Sequence, residues 1–375
     1  MFPFQIISDY TDYFKGAPPL ALASVNAHTR ECCERHKRGM LGWTLRADDS
    51  GICRVVRIDS FDAVRWRLLL WWPMRQRDYP LHIIVEFYDW GSSQDIPEVE
   101  ELLHRLFEND VRHTLGLSFQ HIESLRPFAA LLPLPEEITL YESYLSLLQA
   151  LEGLERLTNV EVLQCVGASG LEHLSNFPNL TILSVCYCED LFSLEPLRKL
   201  RNLREVLLQS SVVVCLDLLE NCHKLEHVDV SYCENLTSLA GLSGLEKLRS
   251  VDARQSRIEN IKDLAGCAAL ESVNVSYCES LTSLDGLGGL RNLKSVNARG
   301  SGIENIRGLA GCMALKTVNV YGCKELVSLE GLSGLPQLKT VDARGTPVPR
   351  VERLERCPAL EWIAFGDEQD ADFDD

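Results

Sequence analysis

At 375 residues, 46% hydrophobic and 24% charged, the chain can fill two or three ordinary domains or one long array that absorbs length as a single unit. Its formal net charge of −17 and isoelectric point near 5.0 argue against a generally basic surface, so neither a nucleic-acid nor a membrane partner is expected.

Met1 to Phe14 carries Asp9, Asp12 and two tyrosines where a secretory leader would place a basic start and an apolar run. No apolar stretch approaches the ~18 residues of a membrane span, and the expected location is cytoplasmic. Residues 1–108 hold five of the six tryptophans and no 22-residue register, and are expected to form an N-terminal α+β cap domain. Pro19–Arg38 suits a helix, Trp43–Arg46 and Ile52–Ile58 a hairpin, and Leu81–Phe87 a strand, while Leu102, Leu103, Leu106 and Phe107 have helical spacing. Cys32, Cys33, His36 and Cys53 come nearest to a metal constellation. Zinc ligand pairs are normally separated by about two to four residues, so the adjacent cysteines do not fit, and no metal is expected.

From Val111 a repeat begins in degenerate form, and a repeat domain of about twelve units is expected over residues 109–366. Leu115-x-Leu117-x-x-Gln120-x-Ile122-x-x-Leu125 matches the later Val251-x-Ala253-x-x-Ser256-x-Ile258-x-x-Ile261. Pro135-x-x-Ile138-x-Leu140-x-x-Ser143-x-Leu145 and a shortened Val160-x-x-Leu163-x-Cys165 follow. One register then runs without a gap through Leu180, Leu203, Leu225, Leu248, Leu270, Leu293, Leu315, Leu338 and Leu360. Within it Cys222, Cys267, Cys312 and Cys357 recur every 45 residues, as do Cys233, Cys278 and Cys323, and Arg254, Arg299 and Arg344.

Each 45-mer has two related halves: Leu270-x-x-Val273-x-Val275-x-x-Cys278-x-x-Leu281, then Leu293-x-x-Val296-x-Ala298-x-x-Ser301-x-Ile303. Alternation over Val273-x-Val275 makes a short strand with both valines inward, and a coil of this size can bury its apolar edge only by stacking on its neighbours. Both halves resemble the leucine-rich repeat, L-x-x-L-x-L-x-x-N/C-x-L. The shorter halves look like the phosphatase-regulator and internalin-type subclass, and the longer ones like the cysteine-containing subclass. The resemblance implies an α/β solenoid: a right-handed horseshoe with a parallel sheet on its concave face and a short 3-10 or irregular convex side. It also implies a protein-binding scaffold.

Equivalent cysteines on every second coil would stand roughly 10 Å apart, beyond disulfide reach, so they are expected to be reduced core residues. In the family the position of Cys188, Cys233, Cys278 and Cys323 bonds to unpaired backbone, which implies a structural ladder. No repeating histidine accompanies these thiols, and Gly286-Leu287-Gly288-Gly289 lacks the Lys-Ser/Thr of a phosphate loop. Neither a cofactor nor an enzyme activity is expected.

The remaining candidate is the concave surface. One column along it reads Asp229, Asp252, Asn274, Asn297, Asn319 and Asp342. The next holds Arg254, Arg299, Tyr321 and Arg344, with Tyr232 and Tyr277 beside it. Tyrosine and arginine favour a recognition surface for a protein with acidic groups, although the arginines could equally balance the aspartates. The favoured function is a non-catalytic scaffold, regulatory subunit or adaptor. The alternative is an enzyme or ubiquitin-ligase-type activity in residues 1–108, with the repeats choosing its substrates. Trp362, Ile363 and Phe365 are expected to seal the last strand, and residues 367–375, six of them acidic, to be a disordered tail.

Overall fold

The computed structural model describes residues 44–48, 51–59, 81–88, 103, 113–167, 171–188, 194–349, 354 and 356–366. The expected Pro19–Arg38 helix, the Cys32–Cys33–His36 group and the acidic tail lie outside them. The chain divides into two compact units, Met1–Ser143 and Tyr144–Asp375.

In the first unit β1 (Thr44–Asp48) and β2 (Gly51–Asp59) form the expected antiparallel hairpin. β3 (Leu81–Tyr88), β4 (His113–Gln120) and β5 (Glu137–Tyr141) follow as parallel neighbours, β2 beside β3, β3 beside β4 and β4 beside β5. The boundary expected after residue 108 falls between β3 and β4, which pair from Leu81 opposite His113 to Tyr88 opposite Gln120. Strand alternation turns Ile83, Val85, Leu115, Leu117 and Phe119 inward. Phe87, Phe119 and Phe128 fill the space beneath, with ring centroids 4.9–5.3 Å apart. Leu117 pairs with Ile138 and Phe119 with Leu140, so the expected alignment that began the β4 motif at Leu115 is two residues early. The three-fold alternation Leu115-x-Leu117-x-Phe119 supplies two equally apolar frames, and only pairing selects one.

The second unit stacks β6 (Asn159–Leu163), β7 (Ile182–Cys186), β8 (Glu205–Leu207), β9 (His227–Asp229) and β10 (Ser250–Asp252). It continues through β11 (Ser272–Asn274), β12 (Ser295–Asn297), β13 (Thr317–Asn319), β14 (Thr340–Asp342) and β15 (Trp362–Ala364), each parallel to the next. The strands centre on Val228, Val251, Val273, Val296 and Val318. The ladder then runs past them, since Val230 N–H donates to Asp252 O at 2.8 Å and Tyr232 N–H to Arg254 O at 2.8 Å.

Every leucine of the register from Leu180 to Leu338 is buried. The returns are short 3-10 turns such as Asp217–Asn221 and Lys262–Gly266, because too few residues remain between strands for an α-helix. A β-carbon at Gly286 would stand 2.4 Å from Ile261 O on the coil before, so this glycine marks a close approach of two coils.

In this unit the chain departs from expectation at β6 and at β15. In β6 the inward residues are Val160 and Val162, opposite Leu183 and Val185, with Leu157 and Cys165 also buried. The motif is therefore Leu157-x-x-Val160-x-Val162-x-x-Cys165, three residues earlier than expected, and Leu163 is half-exposed. In β15 Trp362 pairs with Thr340, an outward position, and is 45% exposed. It does not seal the core; Ile363 points inward instead, only partly covered.

Candidate binding face of the repeat sheet

Alternation buries Val251 and Ala253 and turns Ser250, Asp252 and Arg254 to the opposite face. In-register pairing then lines up Asp229, Asp252, Asn274, Asn297, Asn319 and Asp342 as one column. One oxygen of each accepts the N–H two residues on: Ser231 at 2.9 Å, Arg254 at 3.1 Å, Ser276 and Arg299 at 3.2 Å, Tyr321 at 3.0 Å and Arg344 at 3.3 Å. This side-chain turn bends each coil out of its strand. The column thus has a structural duty, and Asn274 Nδ2 also donates to Asp252 Oδ2 at 3.0 Å. Burial pushes the Asp252 carboxyl above its ordinary value, opposed by the Arg254 N–H and Asn274.

Three residues past the column the backbone turns left-handed. Tyr232 and Tyr277 have φ of 61° and 59°, where Gly300, Gly322 and Gly345 have 64°, 70° and 67°. That conformation costs a residue with a β-carbon roughly 1–2 kcal/mol. In exchange the N–H reaches the next coil, as in Tyr277 to Arg299 O at 2.7 Å, and the Tyr232 and Tyr277 rings stand 43% and 46% exposed.

Arginines and rings interleave along this face. Arg254 lies 5.8 Å from the Tyr232 centroid, Arg299 5.9 Å from Tyr277 and 4.4 Å from Tyr321, and Arg344 5.5 Å from Tyr321 and 5.9 Å from Trp362. Their ion pairing differs. Arg344 grips Asp342 through two hydrogen bonds of 3.0 and 2.8 Å, and Arg254 Nε stands 3.5 Å from Asp252 Oδ2. Arg299 is exposed and, among the described residues, makes no ion pair.

The fold is similar to that of an internalin (inlF) from Listeria monocytogenes, with a TM-score of 0.58 at 15% identity over 92% of this chain and 95% of that one. The chain has the leucine-rich repeat fold. It is also similar to a chain of the Toll–Spatzle complex of Drosophila, with a TM-score of 0.55 at 11% identity over 84% of this chain and 43% of that one. No family model and no curated protein matches the sequence.

Inside the leucine-rich repeat core the cysteines bind coil to coil. Cys233 Sγ donates to Leu208 O at 3.1 Å, Cys278 to Ala253 O at 3.1 Å and Cys323 to Ala298 O at 3.0 Å. Cys188 Sγ lies 3.4 Å from Cys186 O and 3.8 Å from Val162 O. Serine takes the same place in the alternate halves, with Ser211 donating to Val185 O at 2.9 Å and Ser301 to Val275 O at 2.6 Å. Cys267, Cys312 and Cys357 make a second such ladder, to Leu242, Leu287 and Leu332. The eleven cysteines from Cys165 to Cys357 are unbridged. Burial pushes Cys222, Cys233 and Cys323 up to about 11, the reverse of an activated thiol.

Sequence reasoning missed two features of the leucine-rich repeat surface. Trp362 joins the arginine face, as its spacing from Thr340 could have shown. A charge ladder also precedes the strands: Arg204 and Arg249 flank Glu226 at 3.4 and 3.6 Å, and Arg249 and Lys294 flank Glu271 at 3.2 and 2.5 Å. The 22- and 23-residue spacing of these five residues was its signal. Among the described residues no group of three or more His, Cys, Asp or Glu is placed to hold a metal, and no helix is long and apolar enough to cross a membrane.

Proposed function

We propose that this chain is a non-catalytic scaffold, a regulatory subunit or adaptor, that holds an acidic partner protein on the Arg254–Arg299–Arg344 face. The observation that carries this reading is Arg299, exposed between Tyr277 and Tyr321 and committed to no carboxylate among the described residues. A guanidinium already held in place by rings loses little freedom when it meets a partner. In a chain of net charge −17 such a cationic strip is local, which suits selective binding of carboxylates. Tyr232, Tyr277, Tyr321 and Trp362 add the apolar area of a hot spot, and the Asp/Asn column shapes the turns that present them. That the Toll chain, alike in fold, is seen in complex with Spatzle supports a protein ligand. The unbridged cysteines support a reducing, cytoplasmic setting. Nothing among the described residues favours the alternative of an activity in the N-terminal region.

Affinity purification with the wild-type chain and with Arg299→Ala tests the proposal. Partners recovered by the first should be depleted with the second, which should stay folded. Recovery of the same partners by the Arg254→Ala, Arg299→Ala, Arg344→Ala triple variant would move the binding site off this face.

A further inference from the structure

We propose that the segment held on this face is an acidic polyproline II stretch carrying a carboxylate at every third residue. The inference rests on the scaffold reading and names the ligand of the same face.

Arg254, Arg299 and Arg344 sit on every second strand of an in-register parallel ladder. At ~4.8 Å per strand they recur every ~9.6 Å along the stack. A polyproline II helix advances ~3.1 Å per residue with three residues per turn, so every third side chain returns to one side after ~9.3 Å. A β-strand returns side chains to one face at ~6.6 and ~13 Å, and neither matches. An α-helix comes back after seven residues and ~10.5 Å, which drifts by nearly 1 Å at each step.

Aromatic rings lie between the arginines. Tyr277, Tyr321 and Trp362 present rings at intervals along the row. Polyproline II ligands dock on aromatic-lined surfaces, because the stiff helix loses little entropy and its ring-bearing side packs on aromatic faces. Such a helix makes no internal hydrogen bonds, so its carbonyls need donors. Asn297 and Asn319 each use Oδ1 locally, and among the described residues their Nδ2 groups make no hydrogen bond.

The left-handed turn position that His121, Glu142, Gln164, Ser210 and Gln255 fill on other coils, and glycine on later ones, is held at Tyr232 and Tyr277 by rings that are exposed rather than packed in the core. Arg299, free of a carboxylate, would take the first acidic side chain. Arg254 would take its neighbour with little loss, whereas Arg344 must first release Asp342.

The test is fluorescence anisotropy of the full chain with labelled peptides. One peptide is four Glu-Pro-Pro triplets; the other has the same composition with its four glutamates together. The spaced peptide should bind roughly tenfold more tightly, and Arg299→Ala should weaken it by about tenfold, as for a hot-spot residue. Arg344→Ala should have the smaller effect, and circular dichroism should show both variants folded. Equal binding of the two peptides, no binding, or indifference to Arg299→Ala overturns the proposal. If affinity-purified partners still depend on Arg299 while the peptides fail, the polyproline II ligand falls and the scaffold stands. If neither depends on Arg299, both fall.

Discussion

The guanidinium carbon of Arg299 lies 4.4 Å from the ring centroid of Tyr321 on the next coil, closer than any other arginine on the face approaches a ring. Arg344, two coils on from Arg299, is held by the Asp342 carboxylate as well. The same residue type thus has two conditions along one row, decided by which neighbour its tip meets.

That contrast separates binding from stability. Arg344→Ala should lower stability by about 0.5–1 kcal/mol, the loss of a partly exposed bidentate pair. Arg299→Ala should leave the unfolding midpoint nearly unchanged and weaken partner binding by about 1–3 kcal/mol. Urea melts and binding isotherms of the two variants check this, and a reversed order would contradict it.

Gly300 lets the Tyr277 ring lie against the coil. A β-carbon there would stand 2.7 and 2.8 Å from Cδ1 and Cε1 of Tyr277, on a backbone with φ of 64°. Gly300→Ala should therefore cost about 1–3 kcal/mol, part clash and part left-handed strain. Adding Tyr277→Ala should recover the clash and leave the strain. A double-mutant cycle in denaturant measures both, and an additive result would show that the ring moves aside freely.

The cysteine ladder predicts a graded series. Cys278→Ala should cost about 1–3 kcal/mol through a small cavity and a lost donor to Ala253 O. Cys278→Ser should cost less, because Ser301 makes the equivalent bond on the next coil and Ser211 makes it on an earlier one. Chemical denaturation of the two variants at neutral pH decides the order.

Alkali should weaken the fold. Burial raises the Cys222, Cys233 and Cys323 thiols to about 11, whereas an unfolded thiol titrates near ~8.5. Between these values the unfolded chain gives up protons that the folded chain keeps, so their contribution is complete below the lower value and is lost as pH rises toward the upper. Urea midpoints should fall from neutral pH to pH ~10, and Cys233→Ser should flatten the slope. An equal slope in that variant would assign the effect to other groups.

From the sequence alone came the repeat, its inward residues and the ladders of cysteine and arginine, because a periodic backbone gives equivalent positions equivalent sides. Val273, Val275, Cys278 and Leu281 are all buried, as their spacing requires. The first coils resisted that logic: in β4 and β6 neighbouring apolar residues admit more than one frame, and pairing with the next strand made the choice. The tips of long side chains were beyond it as well. Periodicity says that Arg254, Arg299 and Arg344 share a column, but whether each meets a carboxylate or a ring depends on what the adjacent coil extends toward it. Trp362 therefore joined the candidate site through tertiary contact, and the aspartate column acquired its turn-forming role through hydrogen bonds that no spacing records.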